Sequence, residues 1–195
     1  MLKSLLNNIL GMILMKEFIY PEMMIHVPLC TNKNPKDILI ISNDAAKLIQ
    51  EVQKHYDVSA DVISCNVDAL RDAVDAKYDV VVCELDADAV VIAHVSRVLK
   101  EDGLVVCNHP SLDDREANRV IMKELAKYFK IIMPYNLGEG RTALLASKEY
   151  HPTADIILQR ADMLDNLSYY NSDIHPAAFA MGNYIRKEYL GIIKN

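Results

Sequence analysis

Residues 78–88 have the sequence YDVVVCELDAD, in which an apolar run is followed by three closely spaced acids. A run of Val and Cys without polar alternation is typical of a strand that is covered on both faces, as in a parallel sheet. Similar runs occur at residues 37–42 (DILIIS) and 103–107 (GLVVC), and a weaker one at residues 61–65 (DVISC). The chain therefore has at least three predicted core strands.

Helical patterns lie between these runs. Apolar residues recur at spacings of three and four in residues 45–55, 89–100 and 115–128, which predicts amphipathic helices. Strands that alternate with helices predict an α/β fold with a mainly parallel sheet and helices on both faces. Two late strands are predicted at residues 131–133 and 143–146, joined by a loop that contains Tyr135, and the pattern from residue 155 is helical with a break at His175-Pro176.

Composition limits the functional classes. The chain has 195 residues, 51% of them apolar, and a formal net charge of −6, so one domain is expected and general binding of nucleic acid is disfavoured. The four cysteines form no C-x-x-C pair and the six histidines have no metal-ligand spacing, which predicts buried thiols in the cytoplasm and no metal site. Residues 1–15 are the only candidate targeting segment, and they are too short to span a membrane.

Polar residues follow the predicted strands where a parallel sheet binds ligands, at the carboxyl ends. Three acids follow β-rich residues 78–83, namely Glu84, Asp86 and Asp88. They could bind an ammonium group and accept its proton. They could instead cap the next helix, which is the favoured interpretation for Asp88. The first alternative predicts a negatively charged pocket at the strand ends. Residues 42–44 (SND) contain no glycine, and a helix cap is the favoured interpretation there.

Segments near both ends of the chain resemble the spermidine synthases, a family of polyamine aminopropyltransferases. Residues 17–29 (EFIYPEMMIHVPL) are similar to a family segment in which a tyrosine and a Glu-Met pair precede His-Val-Pro-Leu. Residues 34–41 (NPKDILII) resemble the family's entry into its first nucleotide-fold strand. Residues 169–179 (YYNSDIHPAAF) are the most specific match.

The resemblance implies a Rossmann-like, methyltransferase-type domain over residues 18–195. Residues 1–17 would be a remnant of the family's N-terminal β-hairpin domain, most of which is absent. The implied reaction is transfer of an aminopropyl group from decarboxylated S-adenosylmethionine, a co-substrate, to putrescine, giving spermidine and methylthioadenosine. No permanently bound cofactor is implied. The implied partners are a small diamine and a second copy of the chain in a homodimer.

The resemblance also assigns site residues. Glu84 matches the catalytic carboxylate, and Asp86 is the alternative. The implied substrate-side residues are Tyr20, Tyr135 of a gating loop, and His26. The implied donor-side residues are Asp44, Asn66 and Asp68. Residues 42–47 (SNDAAK) replace the family's glycine-rich loop, and a helix and a strand before Tyr78 are missing or merged.

These losses leave two further hypotheses open. One is a catalytically impaired homologue that binds polyamines or serves as an assembly subunit, because the donor loop has lost its glycines. The other is a methyltransferase-like enzyme that uses ordinary S-adenosylmethionine on the same type of sheet. The two terminal motifs favour the aminopropyltransferase over the methyltransferase.

Overall fold

The computed structural model describes residues 16–138 and 140–194. One six-stranded sheet has the order β2-β1-β3-β4-β6-β5. Its strands are β1 Asp37–Ile41, β2 Ser59–Ile63, β3 Tyr78–Cys83, β4 Leu99–Asn108, β5 Ile131–Gly138 and β6 Arg141–Ser147. The first four strands pair in parallel, and β6 pairs antiparallel with both β4 and β5. The predicted α/β class and mainly parallel sheet are confirmed.

Helices pack on both faces of this sheet. They are α1 Ile19–Thr31, α2 Ala46–Val52, α3 Val67–Asp72, α4 Ala89–Val98, α5 Arg115–Leu125, α6 Leu158–Asp162, α7 Ile174–Ala178 and α8 Asn183–Glu188. Because successive strand residues point to opposite faces, Ile38 and Ile40 pack in one core with α1, whereas Leu39 and Ile41 pack in the other with α4. Every residue of β3 is buried, which explains the apolar run at residues 80–83.

The loop predicted around Tyr135 is wrong, because β5 and β6 form a hairpin that includes this residue and has one register irregularity, between Asn136 and Gly138. Pairing runs from Ile131 opposite Ser147 to Gly138 opposite Arg141, with Tyr135 opposite Ala143. Residues such as Pro134 normally argue against a strand, since proline cannot donate a ladder hydrogen bond. Proline is tolerated here because β5 is an edge strand of the sheet.

Helix α1 is not predicted by the sequence pattern, and neither is the short helix α3. Twelve residues of α1 are buried, including Glu22 and His26, and Pro28 lies inside this helix. A helix that is buried all round has no amphipathic period, and an interior proline argues against a helix. The 13 residues of α1 nevertheless bring Tyr20 to the sheet.

The carboxylate of Glu22 joins the two terminal motifs of the sequence. It is 1% exposed and accepts hydrogen bonds from the backbone N–H groups of Ser168, Tyr169 and Tyr170, each at 2.8 Å. A buried carboxylate is stable when charge-assisted hydrogen bonds satisfy it. Glu22 therefore fixes the segment that begins at residue 168 against α1.

The predicted helix break at His175-Pro176 is also wrong. Helix α7 spans Ile174–Ala178 and contains both residues. Pro176 lies in the first turn, where the missing backbone N–H would have no helical partner in any case.

His175 gives a testable dependence of stability on pH. Its Nδ1 lies 2.7 Å from the Tyr170 hydroxyl and its Nε2 lies 3.0 Å from the Pro152 carbonyl, so the neutral ring satisfies both contacts. Burial lowers the pKa of His175 to about 4, whereas an unfolded histidine titrates near 6.5. On acidification, the unfolded chain therefore takes up this proton at a higher pH than the folded chain does. The free energy of unfolding keeps the full contribution of His175 above pH 6.5 and should be about 2 kcal/mol lower at pH 5.

Urea unfolding of the chain and of His175→Gln, each at pH 7.5 and pH 5, measures this contribution. The pH dependence of the free energy of unfolding should be about 2 kcal/mol smaller in the variant. An unchanged pH dependence in His175→Gln would show that this ring does not carry the effect.

None of the described helices combines the length and the apolar composition that crossing a bilayer requires. The candidate targeting segment at residues 1–15 lies outside the described residues, as does most of the predicted N-terminal remnant at residues 1–17.

Candidate active site

The carboxyl ends of β1, β3 and β4 converge on one edge of the sheet. The Glu84 N–H donates to the Ile41 carbonyl at 3.0 Å, and the Ser42 N–H donates to the Ile63 carbonyl at 3.2 Å, so the strand ends stay in register. An open cavity of about 460 Å³ lies at this edge. Its lining includes the charged or polar side chains Glu17, Tyr20, Asp44, Lys47, Glu84 and Arg141.

A tyrosine and a carboxylate meet in this cavity. The Tyr20 hydroxyl donates to Glu84 Oε1 at 2.9 Å, and it makes a longer contact of 3.4 Å with Asn108 Oδ1. Burial and the negative charge of Glu84 raise the pKa of Tyr20 well above its ordinary value. Tyr20 therefore stays protonated at neutral pH and holds one oxygen of Glu84, while the carboxylate remains part of the cavity wall.

Cations share the cavity with these acids. Lys47 forms an ion pair with Glu17, and the Arg141 guanidinium lies 5.8 Å from the centroid of the Tyr20 ring. Among the described residues, the lining contains three carboxylates (Glu17, Asp44, Glu84) and three cations (Lys16, Lys47, Arg141), so the formal charges of these six residues cancel. For this described lining, the prediction of a negatively charged pocket is wrong, because the negative charge is confined to individual carboxylates that lie among cations.

The predicted acid cluster separates into three different environments. Glu84 is half-buried and bonded to Tyr20. Asp88 caps α4, because its carboxylate accepts from the N–H groups of Val90 and Val91, both at 2.8 Å. Asp86 is exposed and is not among the residues that line the cavity. Of the two predicted catalytic acids, Glu84 is the one that the fold places in the cavity.

Tyr135 and His26 lie in the core and do not line the cavity, so their predicted placement on the substrate side is corrected. Tyr135 is 0% exposed. Its hydroxyl donates to the Met23 carbonyl at 3.3 Å and its ring packs against Phe179. His26 is also 0% exposed, and its two ring nitrogens contact the side chains of Glu51 and His55, each at 2.9 Å. Both side chains are held by internal partners.

The predicted donor-side residues are also divided. Asp44 is exposed and lines the cavity. Asn66 caps α3, with its Oδ1 2.8 Å from the Ala69 N–H, and Asp68 forms an ion pair with Arg71 at 2.8 Å. Neither Asn66 nor Asp68 is in the cavity lining. Asp44 alone of the three is placed where it could contact a substrate in this cavity.

The helix-cap interpretation of residues 42–44 is wrong. Helix α2 has Ala45 as its N-cap, and no side chain caps it. The Ser42 hydroxyl instead accepts from the Asp44 N–H at 3.0 Å, and Asn43 Oδ1 accepts from the Cys65 N–H at 3.0 Å. The Asn43 side chain therefore ties the segment after β1 to the segment after β2, and the Ser42 hydroxyl fixes the turn that leads to Asp44.

Sequence reasoning missed Glu17, Lys47 and Arg141. Arg141 was assigned to a loop, and the signal that could have placed it is Gly138, whose φ of 79° marks a tight hairpin turn. In the described residues, no three His, Cys, Asp or Glu side chains come together as metal ligands would.

Known proteins resemble this chain in sequence and in fold. The family model for the spermine/spermidine synthase domain matches residues 17–94. The polyamine aminopropyltransferase of Helicobacter acinonychis is 29% identical over 87% of this chain and 76% of its own length, and that of Clostridium beijerinckii is 27% identical over 87% and 77%. The crystal structure of spermidine synthase from Thermotoga maritima has a TM-score of 0.78 at 24% identity, covering 91% of this chain and 76% of that one, which shows a shared fold.

Proposed function

Because the chain is a distant homologue of the spermidine synthase or polyamine aminopropyltransferase family over most of its length, we propose that it transfers an aminopropyl group from decarboxylated S-adenosylmethionine to putrescine. The products are spermidine and methylthioadenosine. The observation that supports this proposal most directly is the Tyr20–Glu84 hydrogen bond of 2.9 Å in a cavity at the strand ends.

The chemistry needs a base and correct orientation. Glu84 accepts a proton from one ammonium group of putrescine, which frees the nitrogen lone pair. That lone pair attacks the methylene carbon next to the sulfonium. A new C–N bond forms as the C–S bond breaks, and the bonding electrons go to sulfur, so methylthioadenosine leaves as a neutral thioether. Alignment of the two reactants can contribute roughly 7–11 kcal/mol in favourable cases.

The remaining residues of the cavity have positioning roles. Tyr20 holds one oxygen of Glu84, so the other oxygen is directed at the amine. Asp44 follows β1, where this type of sheet binds the nucleoside, and it is the donor-side carboxylate of the cavity lining. The Arg141 cation lies 5.8 Å from the Tyr20 ring and disfavours a second ammonium there, so the distal ammonium of the diamine is expected on the side of the cavity away from Arg141.

Tyr20→Phe tests the positioning role of the tyrosine. Removal of a hydrogen bond to a carboxylate is worth about 1.5–3 kcal/mol, so kcat/KM for aminopropyl transfer should fall roughly tenfold to a hundredfold. Tyr56→Phe is the matched control, because Tyr56 is 97% exposed and should retain full activity. Full activity of Tyr20→Phe would remove the tyrosine from the mechanism.

A homologue that binds polyamines without catalysis is the second candidate. Its support is the connection between β1 and α2, which contains no glycine and leaves Asp44 exposed. Calorimetry with methylthioadenosine and with putrescine separates the two candidates. The proposed transferase should bind both compounds, whereas the second candidate should bind putrescine and give no heat with methylthioadenosine up to about 1 mM.

The proposal includes a cytoplasmic homodimer, as the resemblance implies. The thiols of Cys30, Cys83 and Cys107 are free and buried, which is consistent with a reducing compartment. Sedimentation of the purified chain should give twice the 22.0 kDa of one copy.

A further inference from the structure

Arg141 is a cation of the candidate active site that the proposed reaction leaves without an attractive partner. Its side chain lines the same cavity as Glu84. Neither putrescine nor decarboxylated S-adenosylmethionine carries an anionic group, so neither substrate can form an ion pair with a guanidinium. A cation at this position disfavours both substrates, whereas it favours a compound that carries a negative charge.

The β5–β6 hairpin holds Arg141 beside Tyr20. Arg141 is the first residue of β6, and its backbone pairs with Gly138 across the turn. A Cβ atom on Gly138 would lie 3.3 Å from Ile19 Cγ2, so this end of the hairpin packs directly on the start of α1. Tyr20 is the next residue of α1, and its ring centroid lies 5.8 Å from the guanidinium carbon of Arg141. The backbone and the cation–π attraction therefore both place Arg141 at the Tyr20 ring.

The charge of Arg141 is available to a ligand. The residue is exposed, and within residues 16–138 and 140–194 it forms no ion pair and contacts the Tyr20 ring. Lys47, by contrast, is already paired with Glu17. An arginine side chain stays protonated at every pH at which the chain is folded, and its N–H donors form a planar fork that matches a carboxylate. Arg141 is therefore the cation of the lining that is suited to bind a carboxylate.

Glu84 and Arg141 are held by the same tyrosine. The Tyr20 hydroxyl donates to Glu84 Oε1 at 2.9 Å, and the ring of Tyr20 lies 5.8 Å from the guanidinium. Glu84 and the guanidinium are therefore no farther apart than one tyrosine ring with a contact at each end. A short zwitterion can bridge two opposite charges at this separation, with its ammonium at Glu84 and its carboxylate at Arg141. Because Glu84 is the base that receives the acceptor amine, the carboxylate belongs to the acceptor and not to the nucleoside.

We propose that the chain also uses ω-amino acids as aminopropyl acceptors, and that Arg141 binds their carboxylate; this inference rests on the proposed aminopropyl transfer. The simplest such acceptor is 4-aminobutyrate, which has the same number of carbons as putrescine and a carboxylate at one end. Both of its ends meet an opposite charge in the cavity, whereas the second ammonium of putrescine is repelled by Arg141. Arg141 is thus a specificity-determining residue.

The chemical step is the same as with the diamine. Glu84 accepts a proton from the ammonium of 4-aminobutyrate, and the nitrogen lone pair attacks the methylene carbon next to the sulfonium. The C–N bond forms as the C–S bond breaks, and the bonding electrons go to sulfur. The products are N-(3-aminopropyl)-4-aminobutyrate and methylthioadenosine. The carboxylate keeps its charge throughout, so Arg141 acts on binding of the acceptor and not on the bonds that change.

Steady-state kinetics with decarboxylated S-adenosylmethionine and each acceptor test the proposal, with the products identified by mass spectrometry. In Arg141→Gln, KM for 4-aminobutyrate should rise about fivefold, the upper range for an exposed ion pair, while kcat changes less than about twofold. KM for putrescine should fall, because the substitution removes a repulsive charge. The ratio of kcat/KM for 4-aminobutyrate to kcat/KM for putrescine should therefore fall at least about fivefold.

This ratio separates recognition of the carboxylate from a general defect. A structural defect in Arg141→Gln would lower both values of kcat/KM together and leave their ratio unchanged, which would overturn the role of Arg141. Arg141→Lys keeps the charge without the planar fork and should give an intermediate ratio. Arg71→Gln is the matched control, because Arg71 is exposed, pairs with Asp68 and lies outside the cavity lining. Its ratio should stay within about twofold of that of the unsubstituted chain.

Two further outcomes distinguish this inference from the proposed function. If the chain forms spermidine from putrescine but no product from millimolar 4-aminobutyrate, the inference is overturned and the proposed function stands. If neither acceptor reacts, the proposed function fails, and calorimetric titration with 4-aminobutyrate decides the binding role of Arg141 by itself. Binding that weakens about fivefold in Arg141→Gln would support that role. Absence of binding to the unsubstituted chain, or equal affinity in the variant, would contradict it.

Discussion

Glu84→Gln is expected to lower kcat/KM for aminopropyl transfer by about 10²–10⁴-fold, the usual contribution of a general base. Glutamine keeps the size of the side chain and can still accept from the Tyr20 hydroxyl, but it cannot take a proton from the amine. The fold should be retained, because Glu84 lies at the end of β3 with its side chain in an open cavity. Initial rates of methylthioadenosine release measure the effect.

Asp86→Asn is the matched control for this experiment. It removes the same charge two residues along the chain, but Asp86 is exposed and outside the cavity lining. Its rate should stay within about threefold of the unsubstituted chain, since the charge is screened by solvent. If both variants keep full activity, the carboxylate mechanism is wrong, and if only Asp86→Asn loses activity, the assignment of the base moves to Asp86.

Glu22→Ala is expected to destabilise the fold by about 3–5 kcal/mol. The substitution leaves three backbone N–H groups without their acceptor, and each buried donor without a partner costs about 1–3 kcal/mol, partly recovered as water enters. Glu22→Gln should have a smaller effect, because the amide oxygen still accepts. Urea unfolding monitored by circular dichroism gives both values.

Glu101→Ala controls for loss of a carboxylate as such, because Glu101 is exposed, and it should change stability by less than about 0.5 kcal/mol. Equal stability of Glu22→Ala and Glu101→Ala would show that the segment from residue 168 does not depend on Glu22. In that case, limited proteolysis would cleave that segment no faster in Glu22→Ala than in the unsubstituted chain.

The parallel centre of the sheet could be predicted, because burial of a strand on both faces is visible in the residues of that strand alone. Strands β1, β3 and β4 are covered on both faces, so their buried stretches are continuous apolar runs that differ from any helical pattern. The edge hairpin was not predictable in the same way. In β5, Pro134 and Asn136 break the apolar run, and only pairing with β6 shows that the backbone stays extended to Gly138.

Helix α1 marks the limit of pattern reasoning. Its residues are buried on every side by the sheet, α2 and the C-terminal segments. Its helical conformation therefore depends on tertiary contacts and not on a local sequence pattern. Glu22 and His26 look like surface residues in the sequence, and their burial depends on partners far along the chain. The family resemblance marked this segment as important, but it misplaced His26 and Tyr135 on the substrate side.

The candidate site was predictable in part. The position of Glu84 after a buried strand follows from the rule for strand ends. Its partner Tyr20 lies 64 residues away and was singled out through the resemblance alone. The sequence alone does not show which of Glu84, Asp86 and Asp88 enters the cavity, because this depends on the conformation of the turn after β3. That turn directs Glu84 into the cavity, Asp86 to solvent and Asp88 to the N-terminal end of α4.

Turnover by the purified chain tests the central claim most directly: incubation with decarboxylated S-adenosylmethionine and putrescine, followed by mass spectrometry of the products. The proposed function predicts spermidine and methylthioadenosine in equal amounts, formed at a rate that depends on Glu84. A folded chain that forms neither product from putrescine or from longer diamines would contradict it.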